Sequence, residues 1–288
     1  MTVFKVKGGT KLKGTLTPQG AKNEALQILC AVLLTEKDVI IENLPDILDV
    51  NVLIDLLKSL NVEVEKIKKN TFRFKANNVD VDYLSSEEYK IKSSKIRGSI
   101  MIVGPLLARF GKGYIPQPGG DKIGRRRLDT HFTGFEKLGA QFIYDSKEEF
   151  YKVKGKNLKG NNLLLEEASV TGTANIVMAA SMAKGKTTIY NAACEPYLQQ
   201  LCKMLNAMGA KISGIGSNLL EIEGVSSLNG CKHRVLPDMI EIGSFIGLAA
   251  ITQSEITIKN VSFKDLGIIP STFEKLGIKL ELRGDDIF

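Results

Sequence analysis

The sequence predicts an α/β (α+β) fold assembled from repeats, and three features carry that prediction. A unit of helix, strand, helix, strand and strand recurs along the 288 residues. A helix-to-strand junction recurs with it at Leu57–Val62, Phe135–Ala140, Leu205–Ala210 and Phe273–Ile278, and its markers Asn61, Gly139, Gly209 and Gly277 stand 78, 70 and 68 residues apart. Each of the four copies opens with a helix of small and apolar residues: Ala25–Leu34, Gly98–Leu107, Thr173–Met182 and Ile242–Ile251. Small residues let a helix pack on every side, so these four are predicted to form the interior.

In chain order, Val3–Val6 and Leu12–Leu16 read as two short strands separated by Gly8 and Gly9. Gly20, Ala21, Lys22 and Asn23 then lead into a helix with Leu26, Leu29, Cys30 and Leu33 on one face, broadened by Ile28 and Val32. Lys22 and Asn23 thus sit at a helix N-terminus, where unpaired N–H groups and the helix dipole favour an anion. A strand at Val39–Ile41 leads through Asn43, Leu44 and Pro45 to a helix over Asp49–Leu60, and strands at Val62–Val64 and Thr71–Phe74 close the first copy. Polar residues precede the next two opening helices as well, at Lys95 and Arg97 and at Ser169 and Thr171. Equivalent helix starts carrying polar groups point to one shared site.

The connection Gly111–Arg127 in the second copy is longer than its counterparts Glu36–Asp38 and Ala183–Gly185. Its stretch Pro118–Arg127 sets Lys122, Arg125, Arg126 and Arg127, with Gly119, Gly120 and Gly124, around the single carboxylate Asp121. Phosphate recognition needs backbone that approaches closely and guanidinium groups that bond oxygens in pairs, and this stretch offers both. A charge run alone reads more readily as a solvated basic turn. An extra-long connection inside a regular repeat shifts the reading to an active-site loop.

An apolar content of 43% fits a globular protein, and the formal charge of +7 suits either nucleic acid or a small anionic substrate. With no Trp, and no basic segment interleaved with aromatics, base stacking is disfavoured, so no nucleic-acid partner is expected. Cys30, Cys194, Cys202 and Cys231 lack metal-site spacing and the two histidines, His131 and His233, stand far apart, which argues against zinc. Cys30 falls on an apolar helical face and reads as a core residue. No apolar stretch has the length of a membrane span and residues 1–9 carry no leader pattern, so a cytoplasmic protein with no membrane partner is expected.

The chain resembles the enolpyruvyl transferases, in their sugar-nucleotide branch. The matching residues are Gly20, Ala21, Lys22 and Asn23; Arg97; Gly104 to Leu106 with Ala108 to Gly111; Pro118 to Gly124 with Arg126, Asp129 and His131. Further matches are Ser169 and Val170; Ala192, Ala193, Glu195 and Pro196; Gly209 to Ile212; and Leu236, Pro237 and Asp238 with Glu241 and Gly243. Gly20 to Asn23 stand where the shikimate-pathway branch carries a Gly-Ser-Lys-Ser type motif. The resemblance implies an inside-out α/β barrel of two three-repeat domains with the active site in the cleft between them. Residues 22–236 would form a complete three-repeat domain carrying the loop 111–127, and residues 1–21 with 237–288 an incomplete second domain. Six repeats are implied and four are visible, so two more of about 70 residues each are expected after Phe288, and the chain alone is expected to be impaired or inactive.

The implied reaction moves the enolpyruvyl group of phosphoenolpyruvate to the 3′-hydroxyl of UDP-N-acetylglucosamine and releases phosphate, with no cofactor. It would serve peptidoglycan synthesis and so cell-wall biogenesis, cell shape and cell division. By resemblance Lys22 holds the phosphate, Arg97 and Arg126 neutralise it and polarise the enolpyruvyl group, and Asn23 bonds the sugar. Asp129 and His131 would contact the uridine end, and Ser169 and Val170 the diphosphate and ribose. Helix capping is the competing reading for Asn23 and Ser169. Asp121 occupies the position of the general acid, where many members carry a cysteine alkylated by fosfomycin, so turnover insensitive to that drug is expected. Neighbouring cations lower a carboxyl pKa and oppose that role unless bound phosphate offsets them. Arg127, Glu167 and Thr171 also depart from the pattern, Glu167 most seriously because a lysine contact to the nucleotide is common there. A non-catalytic UDP-sugar-binding relative and a basic RNA-binding repeat protein are the other readings.

Overall fold

A computed structural model describes residues 3–115, 127–146 and 150–288. It divides into two compact units, Lys22–Val235 and Met1–Ala21 with Leu236–Phe288. The chain enters on β1 (Lys13–Leu16), which belongs to the smaller unit.

In the larger unit the first copy runs α1 (Lys22–Ala31), β2 (Val39–Glu42), α2 (Leu48–Ser59), β3 (Glu63–Lys68) and β4 (Thr71–Lys75), followed by a linking helix α3 (Glu87–Ser93). The second begins as a 3-10 segment, Arg97–Ile102, continues as α4 (Val103–Phe110), and adds β5 (Lys112–Ile115), α5 (Asp129–Lys137), β6 (Gln141–Asp145) and β7 (Phe150–Lys154). The third comprises β8 (Asn162–Leu164), α6 (Val170–Ala180), β9 (Lys186–Tyr190), α7 (Pro196–Ala207), β10 (Lys211–Ser213) and β11 (Leu219–Glu223), and β12 (Cys231–Arg234) ends the unit. Each copy owns one sheet, in the orders β12-β2-β4-β3, β5-β7-β6 and β10-β11-β9-β8. Strand β12 pairs in parallel with β2, Cys231 opposite Val39, so the end of this unit is tied to its first copy.

The junction markers have one physical cause. Asn61, Gly139, Gly209 and Gly277 have φ of 63°, 97°, 103° and 83°, the left-handed region that glycine and asparagine tolerate best. In each, the next residue's N–H reaches back to the carbonyl five residues earlier: Val62 to Leu57 at 3.1 Å, Ala140 to Phe135 at 2.9 Å, Ala210 to Leu205 at 2.9 Å and Ile278 to Phe273 at 3.1 Å. This is the Schellman closure of a helix, made four times at one register.

Of the opening helices, α1 is buried from Glu24 to Ala31 and α6 from Gly172 to Ala180, which agrees with an interior role. Two glycines set the spacing around α6, because a Cβ on Gly104 would collide with Asn175 and one on Gly134 with the Ile176 side chain.

The smaller unit places β1 parallel to β13 (Glu255–Ile258) beside α8 (Met239–Ile251), α9 (Ile269–Lys275), β14 (Leu282–Arg283) and β15 (Asp286–Ile287), with sheet order β1-β13-β15-β14. Its core is small: Ile242, Ile246, Ile258, Val261, Leu266 and Ile287.

Four expectations are corrected. Val3–Val6 is not a strand; its side chains are exposed and no described strand pairs with it. Gly98–Leu107 is not one α-helix, since the α-helical part starts at Val103; Pro105 then lies in its first turn, where no N–H is needed. Lys112–Ile115, expected as loop, is a strand paired with β7. Helix α8 is not interior within its unit, because only Ile242 and Ile246 are buried and Ile251 is 82% exposed. The rest of the long connection, residues 116–126, including Asp121 and Arg126, lies outside the described residues.

Candidate functional site

The described candidate residues gather at helix starts of the larger unit. Lys22 and Asn23 open α1, Arg97 opens the 3-10 segment, Asp129 opens α5, and Ser169 and Val170 open α6. Helix α1 packs against the Arg97–Ile102 segment, which also meets α6, and α5 packs along α6. Unpaired N–H groups at these starts favour anionic ligands.

Lys22 is half exposed, its Nζ 3.4 Å from Asp49 Oδ2, a partner that the sequence did not suggest. One residue past Asn23, Glu24 is fully buried and meets His233 Nε2 at 2.8 Å, which fastens the first turn of α1 to β12. Arg97 donates to the Arg127 carbonyl at 3.2 Å. Arg127 Nε reaches Asp129 Oδ2 at 2.5 Å, and this hydrogen bond, with Glu166 and Glu167 nearby, raises the arginine pKa. Arg97, Arg127 and Asp129 therefore form one charged group. Glu167 is exposed beside Thr130, whose hydroxyl lies 3.5 Å from its carboxylate.

Ser169 caps α6: its Oγ accepts from Gly172 N at 3.2 Å, as the capping reading anticipated. His131 departs from the expectation of a substrate contact. It is 1% exposed, with Nδ1 3.0 Å from Asn175 Nδ2 and Nε2 3.2 Å from Thr171 Oγ1. Burial, reinforced by the Arg97 guanidinium, draws its pKa down to about 3, so the ring is neutral. The ligand role of His131 came from the resemblance alone, whereas its depth is decided by α6 packing against α5.

Asn175 escaped the sequence reading. Its signal was present: an amide inside the apolar run Ala174–Ala180 must find partners when the helix is buried. Oδ1 accepts from Gly104 N at 2.7 Å and Nδ2 donates to the Ile100 carbonyl at 2.9 Å.

Among the described residues no group of three or more His, Cys, Asp or Glu could hold a metal ion, and all four cysteines are free. No described helix is long and apolar enough to cross a membrane.

The sequence profile of EPSP synthase (3-phosphoshikimate 1-carboxyvinyltransferase) matches residues 6–287. The chain belongs to the EPSP synthase family. It is 65% identical over 288 residues to a UDP-N-acetylglucosamine 1-carboxyvinyltransferase of Bacteroides fragilis, covering 100% of this chain and 66% of that protein. A protein of the same name from Treponema denticola is 48% identical over 284 residues, covering 99% and 65%. The chain thus spans just under two thirds of the length of these relatives. Among solved structures, the enolpyruvyl transferase NikO from Streptomyces tendae matches with a TM-score of 0.82 at 17% identity, covering 97% of this chain and 66% of that one. An EPSP synthase from Acinetobacter baumannii matches with a TM-score of 0.74 at 18% identity, covering 97% and 64%. At these identities the likeness establishes the EPSP synthase-like fold; the sheets described here are open.

Proposed function

We propose that this chain is part of a transferase that moves the enolpyruvyl group from phosphoenolpyruvate to the 3′-hydroxyl of UDP-N-acetylglucosamine and releases phosphate. The observation that carries the reading is 65% identity, across the whole chain, to a protein named for that reaction. The helix starts bearing Lys22, Asn23, Arg97, Asp129, Ser169 and Val170 support it, since they supply the cations and N–H groups that two phosphorylated substrates require.

The sugar hydroxyl gives its proton to a general base and adds to C2 of phosphoenolpyruvate while Asp121 gives a proton to C3. A C3 proton is then lost, the C2–O bond to phosphate breaks, and the double bond re-forms. Lys22, Arg97 and Arg126 carry the phosphate charge through both steps, Asn23 holds the sugar, and Asp129, Ser169 and Val170 face the nucleotide. His131 belongs to the same site from beneath, as a neutral support. Residues 22–236 act as a three-repeat domain, and residues 1–21 with 237–288 as part of a second. The product feeds peptidoglycan synthesis in the cytoplasm, and through it cell shape and division.

Phosphate release from phosphoenolpyruvate in the presence of UDP-N-acetylglucosamine tests the reading, on this chain and on one lengthened to the size of its relatives. Release by the longer chain supports it, and none from either sinks it. Because a carboxylate forms no stable thioether, fosfomycin should leave the loop unmodified; a drug-sized mass on a peptide holding Asp121 would contradict the assignment.

A further inference from the structure

We propose that Asn175 is a positioning residue of this site: its buried carboxamide replaces one rung of a helix ladder and fixes His131 in the neutral Nε2–H form, aligning the helix starts that carry Arg97, Asp129 and Ser169. The inference rests on the functional reading above.

In an unbroken α-helix Gly104 N–H would bond the Ile100 carbonyl four residues earlier. Here Asn175 stands between them, with Oδ1 2.7 Å from Gly104 N and Nδ2 2.9 Å from Ile100 O. This interruption coincides with the change from 3-10 to α-helical backbone at Val103. It also fixes the orientation of the amide, because a backbone N–H can only donate and a carbonyl can only accept. The remaining Nδ2 proton points at His131 Nδ1, 3.0 Å away, so Nδ1 must accept. The ring proton therefore sits on Nε2 and is donated to Thr171 Oγ1 at 3.2 Å. A protonated imidazole would set N–H against N–H. Asn175 and His131 are 0% and 1% exposed, so no water substitutes for a missing partner. Arg97 is the charged group that acts on His131, and it too disfavours the imidazolium.

The network joins the segment opened by Arg97, the helix opened by Asp129 and the helix capped by Ser169. Gly104 makes the junction possible, because a side chain there would strike Asn175. An apolar residue in place of Asn175 could pack, yet it would leave Gly104 N and His131 Nδ1 without partners and Ile100 O with the Val103 N–H as its remaining donor.

Nitrogen-15 NMR of the histidine-labelled chain, with His131 assigned through His131→Gln, tests the first half. The expected spectrum at neutral pH has His131 uncharged and protonated on Nε2, and an imidazolium or an Nδ1–H ring overturns the proposal. The carboxylate of Asn175→Asp can only accept, so it should move the proton to Nδ1 and weaken UDP-N-acetylglucosamine binding about tenfold, within the range by which residues that touch no ligand modulate a site. Should that variant not fold, Thr171→Val takes its place, with the Nε2–H form kept and affinity reduced. Unchanged affinity in a folded variant leaves the network purely structural and refutes the positioning role. Absence of binding by the wild-type chain lengthened to the size of its relatives instead refutes the functional reading, whatever the tautomer.

Discussion

Burial and the Arg97 guanidinium lower the His131 pKa to about 3 from an ordinary 6.5. Between those values the unfolded chain takes up a proton that the folded chain refuses, so the stability is complete above the upper value and drains away as pH falls toward the lower one. Each pH unit in that window costs at most ~1.4 kcal/mol. Thermal melts of wild type and His131→Gln across it should show the wild-type advantage shrinking on acidification, and parallel curves would speak against a buried neutral ring. Lys22 and Asn23 were legible because helical periodicity places them at the start of α1 without any tertiary knowledge. His131 and Asn175 were not legible as a pair, because their partnership joins residues 44 apart in sequence, on two different helices.

The four Schellman closures are the clearest case of sequence dictating an element. At Gly139, with φ at 97°, no heavy atom lies within 4 Å of where a Cβ would stand, so Gly139→Ala introduces backbone strain and nothing else. A loss of about 1 kcal/mol is expected in denaturant melts, with Gly139→Asn milder because asparagine already fills that position at Asn61. Gly134→Ala differs in kind, since its methyl strikes Ile176; a loss of about 1–3 kcal/mol is expected, partly restored by Ile176→Val. An uncompensated double variant would count against direct contact as the cause. Strand identity was less legible. Val3–Val6 has a strand's alternation but no described partner, and β8 and β12 are short segments that exist because β9 and β2 lie alongside them. Helix α3 lies in a polar stretch where periodicity is weak and its Ser86 cap is the stronger signal, with the hydroxyl accepting from Tyr89 N at 3.1 Å.

Over the whole chain, the two units differ in how well they bury their opening helices. Helices α1 and α6 are enclosed, whereas α8, Met239–Ile251, keeps Ile240 and Leu248 as well as Ile251 at the surface. Limited proteolysis should therefore cut first within Leu236–Phe288 and spare Lys22–Val235, and preferential cutting inside α1 or α6 would contradict that ranking. The repeat number and the pairing of β1 with the C-terminal segment were readable, because four junctions and a resemblance along the whole chain carry them. The burial of each copy was not, since it depends on neighbours that a single repeat cannot specify. The central claim is enolpyruvyl transfer, and one reaction followed by proton and phosphorus NMR tests it most directly. With phosphoenolpyruvate, UDP-N-acetylglucosamine and the chain lengthened to the size of its relatives, vinyl protons should appear on the sugar nucleotide as inorganic phosphate accumulates, both requiring both substrates. Phosphate appearing without the sugar nucleotide, or neither signal appearing, would contradict it.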